Sequence, residues 1–215
     1  MERQEKKTRR TEAAETSKQA ILDAAEALFA QKGYDATSLQ EICDLAGVTR
    51  GLPNYFFGSK EQLYQAVLER VFALRQTQDL LVFLHDQARY PGTKAQESLR
   101  IVIERIFDLL VAHPVFIRIT EWEGLSGGRY LGNLPRLLAV LREALQVLHE
   151  DLGWQGDAEQ FLIDLVALCH FPLAHAQTFL KPLGVDAHDP DFLARRKQHI
   201  VALLLGNYAD DGNAQ

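Results

Sequence analysis

Between Gly33 and Leu63 the chain offers a helix stop or a helix start every few residues. Gly33 ends a helical stripe of Ile21, Leu22, Ala25, Leu28 and Phe29 that opens near Ser17. "YDATS" follows as a turn, with Thr37 or Ser38 as N-cap; Ser38 and Glu41 have capping-box spacing before Leu39, Ile42 and Leu45. Gly47 closes that helix after Ala46, and Thr49 stands as the cap of a third, Arg50 to Tyr55 or Phe56. Pro53, at about the fourth position of this third helix, predicts a short or irregular element because its ring removes a needed donor. "SKEQL" from Ser59 has the cap and acidic first turn of a fourth helix. Helices this short depend on tertiary packing, so the punctuation predicts a small helical head.

After Ser59 the stripe Leu63, Ala66, Val67, Val71, Leu74, Leu81 and Leu84 predicts one long helix, ended by "YPGT" at 90–93. Further helices are expected from Lys94 to Ala112, over "VFIRITEWEGL" to the "SGG" turn, and from near Asn133 through "LPRLLAVLREALQVLHEDL". Two more run over Ala158–Leu180, kinked at Pro172, and from Asp189 or Pro190 to about Leu205, before a frayed "NYADDGNAQ". That makes about nine helices with no strand alternation and no repeat, an all-α chain. With 215 residues, 47% of them hydrophobic, it can bury a sizeable core. The boundaries read as a basic flexible arm at 1–16, a head at 17–62 and a body at 63–215. No segment nears the ~20 apolar residues of a membrane helix, and the charged N-terminus lacks a signal-peptide core. Cys43 and Cys169 sit within apolar helical patterns, so a reducing cytoplasm is the expected setting.

The formal net charge of −6 excludes a wholly basic nucleic-acid binder, but its distribution is uneven. Residues 1–10 hold five basic against two acidic groups, whereas the chain beyond residue 70 holds 13 basic against 18 acidic. A basic start on an acidic body grips phosphates locally; a solvated tail is the alternative.

Two short helices joined by a glycine turn and braced by a longer first helix form a helix-turn-helix. Its second helix needs small residues at the front and polar tips pointing outward, which Thr49, Arg50, Gly51 and Asn54 supply. Arginine bonds guanine bidentately and asparagine does the same to adenine. Gly51 leaves room for the groove wall, Tyr55 offers a hydroxyl to a phosphate, and Lys60 with the amides after Ser59 offers another anchor.

The runs "ILDAAEALFAQKGYDATS", "EICDLAGVTRG" and "YFFGSKEQL" make residues 17–65 resemble a bacterial TetR-family transcriptional regulator. The resemblance implies an N-terminal DNA-binding domain, a C-terminal ligand-binding and dimerisation domain, and repression relieved by a small molecule. It implies that Thr37 and Ser38 begin a helix whose N-terminus meets the DNA backbone. Thr49, Arg50, Gly51, Pro53 and Asn54 then lie on the recognition helix, and Tyr55 and Lys60 match backbone contacts. Leu52-Pro53-Asn54 departs from the helix-friendly triplet common at this place in the family. Residues before Ser17 resemble arms that some members lay along DNA.

The stretches Ala158–Leu180 and Pro190–Leu205 resemble the helix pair that members use in a four-helix dimer interface. Their own pattern agrees: Phe161, Leu162, Leu165, Val166, Leu168 and Cys169, and Ile200, Val201, Leu203, Leu204 and Leu205, make broad apolar surfaces, with burial in a monomer as the alternative. A two-fold dimer implies a pseudo-palindromic duplex operator. The Pro172 kink suggests a bundle pocket. Phe107, Phe116, Trp122, Tyr130, Phe171 and Phe179 are candidates to line it, with Arg118, Glu121, His170 and His175 as polar handles; core packing is the alternative for each.

Three other classes compete. Gly124-Leu125-Ser126-Gly127-Gly128 satisfies G-x-S-x-G, yet a nucleophile elbow needs a strand in a parallel sheet, so no enzyme is expected. Cys169, His170 and His175, with His113 or Glu121, raise a metal- or redox-responsive regulator, but no C-x-x-C or Glu-x-x-His occurs and no metal or cofactor is expected. A helical interaction module without DNA is the third.

Overall fold

The computed structural model describes residues 2–72, 75–89, 95–131 and 136–207, without the side chains of 2–10, 75–78, 136, 137 and 207. Ten α-helices run through the described residues: α1 (Glu2–Lys32), α2 (Leu39–Ala46), α3 (Leu52–Phe57), α4 (Lys60–Phe72), α5 (Arg75–Ala88), α6 (Ala95–Ala112), α7 (Pro114–Leu125), α8 (Arg136–Glu150), α9 (Ala158–Ala174) and α10 (Pro190–Asn207). A π turn (Ala176–Leu180) and a 3-10 turn (Lys181–Leu183) follow α9. No strand occurs among the described residues.

Four boundaries differ from the sequence expectation. Helix α1 starts at Glu2 instead of Ser17, so the segment read as an arm is helical. Helix α3 starts at Leu52 with Gly51, not Thr49, as its cap. Pro53 therefore sits in the first turn, where a backbone donor has no helical acceptor to lose. The stripe after Ser59 divides into α4 and α5. Helix α9 continues past Pro172, the expected kink, stops at Ala174, and the chain bends by 67° into the turns that follow. The expected stop at 90–93, the start near Asn133 and the end from Tyr208 lie outside the described residues.

The chain forms two compact units, the first comprising the chain through Phe72 with Arg118–Gly132, the second Ala73–Ile117 with Asn133–Gln215. In the first, α1 packs on α2, α3 and α4. Ile21, Ala25 and Phe29, Ile42 and Cys43, Pro53, and Leu63, Tyr64 and Val67 are all buried. Arg70 ties α4 to α1, its Nη1 2.6 Å from Asp23 and its Nε donating to Glu26 at 2.7 Å. In the second, α5 packs on α8, and α6 packs on α9 and α10. There Trp154 is buried edge-on against Phe161, ring centroids 5.2 Å apart. Asp157 caps α9, accepting from the amides of Glu159 and Gln160. No single described helix is long and apolar enough to cross a membrane.

The capping box of α2 forms as its spacing requires. Ser38 N donates to Glu41 Oε2 at 2.9 Å, and Glu41 N donates to Ser38 Oγ at 3.2 Å. Glu41 also pairs with Lys32 at the end of α1. Those bonds, Lys32 first and the Ser38 amide second, pull the Glu41 carboxyl down to about 2. A depressed carboxyl stabilises the fold above its unfolded value, and that contribution is lost as pH falls through the folded value. The difference in unfolding free energy between wild type and Glu41→Gln is therefore constant above about pH 5 and closes between about pH 4.5 and 2. Denaturant titrations across that range check it.

Gly33 has φ +77°, and a Cβ there would lie 2.9 Å from the ring of Trp122. Gly33→Ala thus meets both a left-handed backbone and a wall, and should lower stability by about 1–3 kcal/mol, measured by thermal or chemical unfolding.

Candidate nucleic-acid interface

Helix α2 ends at Gly47, whose left-handed φ of +68° lets the Gly47 and Val48 amides fold back onto the Cys43 carbonyl. The chain then turns through Val48–Arg50, and Leu52 N donates to the Thr49 carbonyl at 3.1 Å. Gly58 N closes α3 on the Asn54 carbonyl, and Ser59 Oγ caps α4 by accepting from Gln62 N at 3.1 Å. The six residues of α3 are thereby fixed at both ends.

Pro53 points inward and is buried, whereas Thr49, Arg50, Gly51, Asn54 and Tyr55 are exposed. Tyr55 is 78% exposed, its ring lying edge-on to half-buried Phe56 at 5.0 Å. Gly51 has an ordinary right-handed backbone, and a Cβ added there would meet nothing within 4 Å. The chain's own packing therefore does not demand glycine at that place. The set can donate and accept at base edges and hand hydroxyls and a cation to phosphates.

Lys60 and Thr37 fit their expected roles differently. The Lys60 ammonium lies 4.3 Å from the centroid of Tyr34, a cation over a ring face, and partial burial lowers its pKa. Thr37 is buried, and its hydroxyl donates to the Gly33 carbonyl at 2.7 Å. It closes the end of α1, so its hydroxyl faces inward; Ser38 beside it is exposed.

Behind this face lies a cluster that the spacing of residues does not announce. Tyr34, Tyr64 and Tyr130 pack mutually, tilted or edge-on, with ring centroids 4.5–5.3 Å apart, and Phe29 meets Tyr64 edge-on at 4.7 Å. Glu123, 1% exposed, accepts from the Tyr64 hydroxyl at 2.6 Å and from Tyr130 N at 3.1 Å. Burial and the neighbouring Tyr130 push the Tyr34 hydroxyl up to about 12, and burial with Glu123 drives that of Tyr64 well above the ordinary range. Trp122 Nε1 donates to the Ala30 carbonyl at 3.2 Å. Gly33 was legible only as a helix stop, since nothing local reveals that an indole from residue 122 occupies its missing side chain.

The residues expected around a bundle pocket divide between the units. Arg118, Glu121, Trp122 and Tyr130 belong to the first, where Trp122 and Tyr130 are occupied as described. Phe107 and Phe116 are buried in the second. Phe171, 45% exposed, lies 4.6 Å from His175 and 5.4 Å from Phe179, while His170 is half-buried on α9. A cavity of about 290 Å³ in this unit is lined instead by residues that include Arg142, His149, Glu159 and Leu162. Cys169 is buried, which pushes its thiol up to about 12. No group of three metal-ligating side chains gathers among the described residues. Gly124 and Leu125 end α7 and Ser126–Tyr130 form turns, so the G-x-S-x-G sequence follows a helix instead of a strand.

Residues 21–67 match the family of bacterial regulatory proteins of tetR type, and residues 96–204 match the tetracyclin repressor-like C-terminal domain. The transcriptional repressor NicS of Pseudomonas putida is 29% identical over 191 residues, 84% of this chain and 86% of the relative. The transcriptional regulator RutR of Escherichia coli is 36% identical over 161 residues, 73% of this chain and 70% of the relative. Among solved structures, SmeT of Stenotrophomonas maltophilia superposes with a TM-score of 0.56 at 23% identity, covering 90% of this chain and 91% of that one. FadR of Bacillus halodurans gives 0.59 at 20% identity, over 90% and 96%. Those two support the fold, and the family matches carry the assignment. With an exposed, rigidly capped α3 ahead of an all-helical body, the chain belongs to the TetR family of transcriptional regulators, proteins that bind operator DNA as dimers and are not enzymes.

Proposed function

We propose that the chain is a repressor that a small-molecule effector releases from its operator. Two heads, residues 17–62 of each copy, place Thr49 to Tyr55 in successive major grooves about 34–36 Å apart. The basic residues before Ser17 run near the phosphates, and residues 63–215 provide the dimer contact through α9 and α10 and hold the effector. Phe107, Phe116, His170, Phe171 and His175 are the second unit's candidates for touching it. Effector and operator bias one two-state element, α4, whose first turn carries Lys60. Support comes from the exposed Thr49, Arg50, Gly51, Asn54 and Tyr55 grouped around buried Pro53, and from the repressor named among the relatives.

Selection from random duplexes tests the reading. It should return a pseudo-palindrome with half-sites one DNA turn apart or a multiple of it; a pool without enrichment overturns it. On that duplex, Arg50→Ala and Asn54→Ala should each cost about 1–3 kcal/mol and relax preference at one base position. Lys60→Ala should weaken binding to all sequences alike and reduce the salt slope by about 1. Both follow from mobility shifts at several salt concentrations.

Gly51→Ser separates fold from recognition. Gly51 has an ordinary right-handed backbone with room for a Cβ, so serine costs no strain there and thermal stability should hold or rise by about a few tenths of a kcal/mol. Operator affinity should fall, because the added side chain occupies space needed by the groove wall. Unchanged affinity would remove Gly51 from the interface.

A further inference from the structure

Pro172 stands inside α9 and has no N–H, so the carbonyl four residues earlier, that of Leu168, loses its helical donor. A buried carbonyl without a partner is costly, and such groups are almost always satisfied from elsewhere. Here the donor comes from another helix. Arg196 of α10 directs Nη2 at the Leu168 carbonyl, 2.9 Å away. Its Nε is buried without a hydrogen-bond partner, so the guanidinium is placed for the carbonyl while its Nε–H goes unused. Partial burial accordingly lowers its pKa. One residue on, Lys197 fastens α10 to α6 through Asp108 at 2.6 Å. Just beyond Pro172, α9 gives way to a π turn and a 67° bend, where Phe171, His175 and Phe179 cluster.

We propose that Arg196 is the positioning residue of this break: its guanidinium supplies the hydrogen bond that Pro172 withholds from Leu168 and so clamps α10 to α9 at the bend. The charge matters less than the donor, and the donor matters only while residue 172 is proline. With an N–H at position 172 the helix can close its own ladder and the clamp becomes dispensable.

A double-mutant cycle in the full-length chain reads that dependence. Thermal midpoints of wild type, Arg196→Met, Pro172→Ala and the double variant are compared at one protein concentration. Arg196→Met should lower the midpoint by roughly 4 °C or more in the wild-type background and by less than half as much in the Pro172→Ala background. Arg196→Lys, which keeps a donor, should lose less than Arg196→Met. If Arg196→Met does not fold, Pro172→Ala in the same chain should restore folding. Equal losses in the two backgrounds, a lysine no better than methionine, or a failure of Pro172→Ala to restore folding would each show that Arg196 serves by packing alone and overturn the clamp.

Discussion

A helix of six residues does not hold its shape in water. Helix α3 and the turn before it nonetheless present Thr49, Arg50, Gly51, Asn54 and Tyr55 to solvent, and Pro53 is the one residue of the helix that is fully buried. Its conformation is imposed from outside: the Gly47 turn sets its entry, Pro53 is buried beneath it, and the Gly58 amide with the Ser59 cap sets its exit. Proline suits this place because its ring presets the backbone angle in a first turn and its missing donor has no helical role there. Rigidity of α3 is thus a property of the flanking turns, with the exposed side chains left available for another molecule.

The frame behind α3 combines an apolar core with polar groups that are all engaged. Arg70 spans α4 to α1, Lys32 and Glu41 join α1 to α2, and Thr37 finishes α1 with its own hydroxyl. Glu123 is the unusual member, a carboxylate with almost no exposure that accepts from one phenol and one amide. Taking away either donor would leave it underbonded in a dry site, which makes that contact more consequential than a surface ion pair. It also binds Arg118–Gly132 into the same unit as the first four helices.

Local chemistry made much of the first unit legible. The Ser38–Glu41 box, the Gly47 stop and the Ser59 cap are contained in stretches of four or five residues, and each forms as read. Pro53 was harder, because one residue of uncertainty in where α3 begins moves proline from a damaging place to a favourable one. Helix α1 begins well before the apolar stripe does, since its first turns carry charged residues that give no periodic signal. Trp122 and Tyr130 suggested a pocket only because aromatic composition does not say which core a ring enters. Their partners, Gly33, Tyr34 and Tyr64, are distant in sequence, and no spacing rule connects them.

Trp122 and Trp154 are the chain's two tryptophans, and the fold assigns one to each unit. The first rests on Gly33 and donates to the end of α1, while the second is sealed against Phe161. Indole emission responds to local polarity and to nearby quenchers, so replacing Trp154 with phenylalanine leaves a chromophore that reports the first unit alone. The reciprocal replacement leaves one that reports the second. The molecule therefore contains a pair of built-in optical probes by which loosening of either half can be followed without attaching a dye.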